Sequence, residues 1–177
     1  ADSTGLELSA DKFLTASILF KDLLKKELNT QNIGLLLPST AAGAFINYSI
    51  LLMGKIAVNL NYTSEIESIK QSIYAAQIKS VITSKKFVEK LELKGINIKE
   101  IFDIVEIVYL EDLKEKISKR KSLITFLSVK FLPTFLLKLI HLTKTNKNDT
   151  VLILFSSGSE GKPKGIELTG DNILGNA

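Results

Sequence analysis

The fold is decided by the stretch Thr150-Val-Leu-Ile-Leu-Phe-Ser-Ser-Gly-Ser-Glu-Gly-Lys-Pro-Lys-Gly-Ile-Glu-Leu-Thr169, in which five apolar residues lead into glycines, serines and lysines. The apolar run 151–155 predicts a buried strand. The loop 156–165 that follows is suited to an anion, because glycines such as Gly165 permit positive φ and close approach of main-chain N–H groups, and lysines supply charge. We therefore predict a phosphate-binding loop directly after a buried strand.

Two other interpretations of this loop are weaker. The P-loop of nucleoside triphosphatases requires Gly and Lys five and six positions after its first glycine, followed by Ser or Thr. Counted from Gly158, those positions hold Pro163 and Lys164, and Gly165 follows. An ordinary surface turn would rarely contain the uninterrupted run S-S-G-S-E-G-K-P-K-G. The sequence therefore favours a phosphate loop of another kind.

The segment Phe155–Gly165 resembles the signature loop of the adenylate-forming (AMP-binding) superfamily, which includes acyl-CoA synthetases, acyl-carrier-protein synthetases and peptide-synthetase adenylation domains. Most members carry Thr where this chain has Glu160. The S-G-S-E-G variant is similar to the acyl-carrier-protein synthetases that form one half of a bifunctional acylglycerophosphoethanolamine acyltransferase. Four other segments resemble that branch in the same order: Ile33–Ser39, Asn59–Thr63, Ala75–Lys79 and Val108–Lys114.

The resemblance implies that the intact parent enzyme uses ATP and Mg²⁺ to convert a fatty acid to an acyl-adenylate. The acyl group would then pass to the thiol of acyl carrier protein or, alternatively, of coenzyme A. The resemblance places the nucleotide phosphates on six loop residues, namely Ser156, Ser157, Gly158, Ser159, Gly161 and Lys164. It also implies a cytoplasmic protein, peripheral or integral to the inner membrane through its parent.

One position departs from the family pattern. The family has His in a Thr-His-x-Asn stretch after the loop, whereas this chain has Gly170 in Thr169–Asn172. This departure keeps open a non-enzymatic alternative, a membrane- or partner-binding module with a vestigial loop. The chain also begins with Ala and stops soon after Asp171, where a helix is predicted, so we expect a fragment that does not catalyse adenylation alone.

Composition narrows the other classes of function. The chain has 177 residues, 45% of them hydrophobic and 24% charged, as in a globular protein. It has no Cys and a single His, His141, which excludes disulfides, thiolate zinc sites and multi-histidine metal sites within it. Its net charge is +4, but the basic residues are largely dispersed and not interleaved with aromatics, so we expect no nucleic-acid partner.

Apolar runs alternate with amphipathic runs along the chain. This alternation predicts an α/β fold with a largely parallel sheet and helices on both faces, in which ligands bind beyond the carboxyl ends of the strands. We treat 1–177 as a single incomplete domain, the N-terminal part of the large domain of an adenylate-forming enzyme. The predicted strands are 32–37, 56–59, 80–83, 105–110 and 151–155. The predicted helices are 11–28, 40–53, 65–77 and 84–93, the third with a capping box at Ser64–Glu67.

The segment 114–142 combines a basic run with a long apolar stretch. Lys130, Pro133 and Lys138 argue against a membrane-spanning helix. Two interpretations stay open. The segment is either a helix lying on an anionic membrane surface or a pair of core helices broken at Pro133. The core alternative predicts burial of Phe126, Phe131, Leu136 and Ile140 against the sheet.

Overall fold

A computed structural model describes residues 7–143, 146–157 and 163–175. Within these ranges the strands are β1 (Asn32–Leu35), β2 (Ile56–Asn59), β3 (Ser80–Thr83), β4 (Glu106–Tyr109), β5 (Thr150–Ser157) and β6 (Pro163–Thr169). They form one sheet in the order β4-β3-β1-β2-β5-β6. All neighbouring pairs are parallel except β5 and β6, which are antiparallel.

Helices connect the parallel strands. In chain order they are α1 (Ala10–Glu27), α2 (Ala41–Leu52), α3 (Ile66–Ala75), α4 (Lys85–Leu93), α5 (Lys99–Phe102), α6 (Leu110–Glu115), α7 (Lys119–Phe131), α8 (Thr134–His141) and α9 (Gly170–Leu174). The predicted boundaries of β2 and β3 are confirmed, and the other predicted strands and helices are present with shifted ends.

Helices cover both faces of the sheet, as predicted. Successive strand residues point to opposite faces, so Ala57 belongs to one core cluster and Val58 to the other. The Ala57 cluster is completed by α1, α2 and α6 through Leu24, Ile46, Ile50 and Leu113. The Val58 cluster is completed by α3, α4 and α5 through Ile69, Ile73, Leu91 and Ile101.

Helix ends follow from local chemistry. The side chains of Ser9, Thr40 and Ser84 accept hydrogen bonds from the backbone three residues ahead and so cap α1, α2 and α4. Gly54 and Gly95 follow α2 and α4 with φ of 69° and 80°, a conformation that glycine adopts without strain.

The predicted capping box at Ser64 is wrong. Helix α3 begins at Ile66 with Glu65 as its cap residue, and that cap makes no side-chain hydrogen bond. The preceding residues form a tight turn instead, because Asn61 Oδ1 accepts a hydrogen bond from the Thr63 N–H and the Asn61 carbonyl accepts one from Ser64.

The structure also corrects the boundaries of the phosphate loop. The loop was predicted over 156–165, but β5 continues through Ser157 and β6 begins at Pro163. Gly165 is therefore a strand residue, and its φ is not positive. A Cβ at this position would lie 3.3 Å from Cε1 of the Phe155 ring, so the glycine makes room for that ring across the hairpin.

The segment 114–142 forms two helices, α7 and α8, separated at Pro133 as predicted. The core alternative is wrong for this pair. Phe131 and Ile140 are exposed, and Phe126 and Leu136 are only partly buried. No helix among the described residues is long and apolar enough to cross a bilayer.

Candidate functional site

A cavity of about 630 Å³ opens at the carboxyl ends of β1, β2 and β5. This is the edge where parallel α/β sheets bind ligands. Its lining combines apolar side chains with a few polar groups: Leu37, Pro38, Ser39, Thr40, Ala41, Gly43, Ala44, Asn47, Asn59, Leu60, Asn61, Tyr62, Leu154 and Phe155.

One wall of the cavity is the first half of α2. Thr40 caps this helix by accepting a hydrogen bond from Gly43 N–H. A Cβ at Gly43 would lie 2.9 Å from the Pro38 carbonyl oxygen, so glycine is required for the sharp entry from β1 into α2. The first turn of α2, which is the positive end of the helix dipole, thereby lies beside the cavity.

Two asparagines that line the cavity, Asn47 of α2 and Asn59 of β2, are hydrogen-bonded to each other. Asn47 Nδ2 donates to Asn59 Oδ1 at 3.2 Å, and Asn59 Nδ2 donates to Asn47 Oδ1 at 3.0 Å. Asn47 Nδ2 also lies 3.0 Å from the Gly43 carbonyl oxygen. The pair ties the middle of α2 to the end of β2. Sequence reasoning missed Asn47, because a lone amide in a helix of small apolar residues belongs to no motif.

The hairpin of β5 and β6 borders the cavity. In this antiparallel pair Leu154 lies opposite Ile166, and Ser156 lies opposite Lys164. Ile153 and Phe155 pack on the face that carries α3, whereas Leu152 packs on the face that carries α2. Leu154 and Phe155 line the cavity. Ser156, the next residue of β5, lines a second and smaller recess together with Asn61, Ser64 and Pro163.

Three of the six predicted phosphate contacts lie among the described residues. Ser156 and Lys164 are exposed and lie in register near the end of β5 and the start of β6. Ser157 ends β5 opposite Pro163. Gly158, Ser159 and Gly161 lie outside the described residues, as do Glu160 and Lys162. The structure thus makes Ser156 and Lys164 neighbours across the hairpin.

Residues after β2 have two different roles. Tyr62 packs with its ring edge-on to Phe87 at a centroid distance of 5.1 Å. Asn61 is exposed, and its Oδ1 accepts hydrogen bonds from the N–H and the hydroxyl of Thr63 at 3.0 and 2.7 Å. Asn61 therefore shapes the turn that carries Tyr62 to the rim of the cavity.

Gly170 has a steric reason to be glycine. A Cβ at this position would lie 3.1 Å from the Lys147 carbonyl oxygen, which also accepts a hydrogen bond from Asp171 N–H. Helix α9 is capped by Thr169, whose hydroxyl and N–H exchange hydrogen bonds with Asn172. The end of β6 and the start of α9 thus lie directly against the turn at Lys147, and a side chain at 170 would require that turn to move.

Metal ligands are scarce in this part of the chain. Across residues 7–143, 146–157 and 163–175 no group of three or more acidic or histidine side chains could hold a metal ion. The described residues therefore do not fit a Mg²⁺ site of their own.

The fold and the cavity define an α/β ligand-binding domain with its site at the carboxyl ends of parallel strands. A model of the AMP-binding enzyme family matches residues 21–177. The chain therefore belongs to the AMP-binding enzyme family, the adenylate-forming ligases, and its fold is that of the N-terminal part of their domains.

Individual relatives agree with this assignment. The 4-coumarate–CoA ligase-like 6 protein of Arabidopsis thaliana is 26% identical over 142 residues, covering 80% of this chain and 23% of that protein. The o-succinylbenzoate-CoA synthetase of Bacillus subtilis, solved with the acyl-adenylate OSB-AMP, has a TM-score of 0.72 at 16% identity, covering 97% of this chain and 39% of its own. McyG A-PCP, solved with phenylalanyl-adenylate, has a TM-score of 0.68 at 18% identity, covering 97% of this chain and 25% of its own. The chain thus spans about a quarter of the curated relative.

Proposed function

We propose that this chain is the N-terminal part of an ATP-dependent, AMP-forming ligase that activates a fatty acid and transfers it to the thiol of acyl carrier protein. The observation that carries the proposal is the pairing of Ser156 with Lys164 in the hairpin of β5 and β6, whose residues Leu154 and Phe155 line the cavity at the carboxyl edge of the sheet. We further propose that the parent is the bifunctional acyl-carrier-protein synthetase and acylglycerophosphoethanolamine acyltransferase, acting in lysophospholipid acylation. This assignment rests on the S-G-S-E-G variant and the four other resembling segments.

The chemistry matches what this site offers. A carboxylate oxygen of the acid attacks the α-phosphorus of ATP, a new carboxyl–phosphate bond forms, and the bond to the β-phosphate breaks to release pyrophosphate. The ammonium group of Lys164 and the hydroxyl of Ser156 would hold the β- and γ-phosphates and stabilise the charge that the leaving pyrophosphate acquires. Positioning and electrostatic stabilisation supply most of the catalysis in phosphoryl and nucleotidyl transfer.

The cavity extends this site away from the phosphates. A ligand whose phosphates lie at the hairpin would place its neighbouring uncharged group against Leu37, Ala44 and Leu154. Such a lining is suited to the uncharged part of an acyl-adenylate. Mg²⁺ would neutralise phosphate charge when bound, with phosphate oxygens and waters among its ligands.

The thiol acceptor is proposed from charge. The chain has a net charge of +4 and a pI of about 9.1, which suits a strongly acidic carrier protein. The alternative acceptor is coenzyme A. Acyl transfer by the full-length natural protein, measured with the acid and ATP fixed, should be faster with holo-acyl carrier protein than with coenzyme A. Faster transfer to coenzyme A would replace this part of the proposal.

A second candidate function is a non-enzymatic binding module. It is favoured by Gly170, because the close contact with Lys147 leaves little space for the side chain that the family carries there. In that case the loop would be vestigial, and the full-length protein would form no adenylate with any acid.

The deciding experiment measures ATP–pyrophosphate exchange by the full-length natural protein with a series of fatty acids. Lys164→Ala should lower exchange by about tenfold to a hundredfold, because it removes a charge aimed at the phosphates. Lys162→Ala is the matched control two residues away and should retain most activity. Equal losses, or a larger loss for Lys162→Ala, would show that the assignment within the loop is wrong. The 177-residue chain alone should show no exchange above background.

A further inference from the structure

The pair α7 and α8 presents an apolar surface that no described part of the chain covers. In α7 only Thr125 and Val129 are buried, and α8 has no buried residue. Phe131 and Leu139 are 72% and 77% exposed. We call the exposed apolar side chains of this pair the α7–α8 surface: Leu123, Ile124, Leu127, Phe131, Phe135, Leu139, Ile140 and Leu142.

The charge around this surface has one sign. No Asp or Glu occurs between Glu115 and Asp149 in the sequence. The same interval contains Lys116, Lys119, Arg120, Lys121, Lys130, Lys138, Lys144 and Lys147. Two of these cations are neutralised from α1, because Lys121 pairs with Asp22 at 2.9 Å and Lys116 pairs with Glu27. No carboxylate among the described residues lies within ion-pair distance of Lys119, Arg120, Lys130 or Lys138.

The opposite side of the pair is anchored to the domain. Val129 packs with Ile18 of α1 and Leu52 of α2. Lys21 Nζ donates to the His141 carbonyl oxygen at 3.4 Å and lies 3.5 Å from His141 Nδ1. Because these contacts attach both helices to α1 and α2 from one side, the apolar residues on the other side are held in place and exposed.

We propose that the α7–α8 surface docks on the interface of a membrane containing anionic lipids. The partner must supply both an apolar layer and negative charge, and a bilayer with anionic headgroups supplies both at the depth of a surface helix. Helices of 13 and 8 residues are too short to span a bilayer but long enough to lie in its interface. Cations such as Lys130 and Lys138 would lie among the headgroups while the phenylalanines enter the acyl boundary.

An acidic protein is the competing partner. Amphipathic partner helices bind in grooves, and the 630 Å³ cavity includes no residue of α7 or α8. The α7–α8 surface combines exposed apolar side chains with cations and no acidic residue. This composition is typical of helices that lie on an anionic membrane and favours lipid over a folded protein.

The test uses the 177-residue chain and sedimentation with phosphatidylcholine vesicles, with or without phosphatidylglycerol. We expect binding only to the anionic vesicles, and weaker binding when salt rises from about 50 mM to about 500 mM. The double variant Phe131→Ser with Phe135→Ser should lower the bound fraction about tenfold. The control, Tyr74→Ser with Leu93→Ser, removes two exposed apolar residues outside the surface and should bind as the parent does.

A second pair of variants separates charge from apolar contact. Lys130→Gln with Lys138→Gln should weaken binding to anionic vesicles about tenfold, since each cation near the headgroups adds to affinity. Lys86→Gln with Lys94→Gln, two exposed lysines of α4 and its cap, should not. All these positions are exposed or distant from Ser156 and Lys164, so ATP binding should be unchanged in every variant. Absence of vesicle binding at low salt would overturn the proposal. So would a loss of binding in each control pair as large as the loss in the test pair that it matches. Binding to acidic carrier protein instead of vesicles would reassign the surface to a protein partner.

Discussion

The first two thirds of the chain and the last third differ in what they bury. Among the described residues, every buried apolar side chain except Val129 and Ile153 lies before residue 114. Most large apolar side chains that are exposed lie after residue 118, including Leu154 and Ile166 of the hairpin. The first region therefore contains nearly all of the core, and the last region exposes most of its large apolar side chains. Both proposed sites, the hairpin of β5 and β6 and the α7–α8 surface, lie in or beside the last region.

The largest expected effect tests this difference directly. Ile33 is fully buried in β1, so Ile33→Ala should lower the free energy of unfolding by about 2–5 kcal/mol. Ile166 of β6 is 48% exposed, so Ile166→Ala should change it by only about 0.5 kcal/mol. Urea denaturation of both variants provides the measurement. Equal losses would show that the hairpin belongs to the same core as β1.

Sequence reasoning succeeded where one local rule decided the structure. Strands β2 and β3 were predicted at their true boundaries, because each is a short apolar run between polar turns. The predicted helix starts at Thr40 and Ser84 lie one residue before α2 and α4, because these residues cap the two helices. The capping box at Ser64 is absent because the Ser64 N–H donates to the Asn61 carbonyl oxygen instead.

Sequence reasoning failed where pairing between distant residues decides the structure. Residues 163–165 resembled loop, but the pairing of Ser156 with Lys164 continues the hairpin through them. The alternation of apolar and polar residues in Ile166–Thr169 is a signal in the sequence that predicts β6. The exposure of α7 and α8 could not be predicted from periodicity, because an amphipathic helix looks the same whether its apolar face meets a core or a membrane.

The second prediction places the same substitution in both regions. A Cβ at Gly34 would lie 2.8 Å from Val81 Cγ2 and 3.0 Å from Ile78 Cγ2, inside the close-packed sheet. Gly34→Ala should therefore destabilise the fold by about 1–3 kcal/mol. A Cβ at Gly165 would lie 3.3 Å from Phe155 Cε1 and 3.7 Å from Ile153 Cγ2, so a shift of the Phe155 side chain by a few tenths of an ångström would make room for it.

Gly165→Ala should thus cost less than about 1 kcal/mol in unfolding free energy. Thermal or urea unfolding of the two variants checks the ranking. A larger loss for Gly165→Ala would mean that the hairpin is packed as tightly as the sheet centre, which would contradict the division between the two regions.

The third prediction compares helix caps. Ser84 caps α4 and also donates to Glu111 Oε1 at 2.9 Å, so Ser84→Ala should lower the free energy of unfolding by about 1 kcal/mol. Thr169 caps α9, a short helix with no described tie to the core clusters. Thr169→Ala should leave global stability unchanged and only speed amide hydrogen exchange in α9. A comparable global loss for both variants would show that α9 unfolds together with the core.

The smallest expected effect concerns the attachment of α8 to α1. Burial and then the positive charge of Lys21 lower the pKa of His141, while Asp22 opposes this shift. A depressed histidine pKa means that the unfolded or detached state binds the proton more readily. The attachment is therefore at full strength above the ordinary histidine pKa of about 6.5 and weakens as the pH falls through that value and the lower pKa of the folded state.

Amide hydrogen exchange in α8 should accordingly accelerate between about pH 7 and pH 5, after correction for the intrinsic rate. Protonation would set Nδ1–H of His141 against the Lys21 ammonium group, 3.5 Å away, and remove the acceptor of that contact. Asp22 does not contribute to the response in this pH range. Burial raises its pKa, but the hydrogen bonds from Lys121 and Lys21 lower it by more, so the pKa of Asp22 lies below its ordinary value. Because His141 is the single histidine in the chain, His141→Gln should abolish the acceleration. A pH response that persists in this variant would show that a group other than His141 controls the attachment of α8.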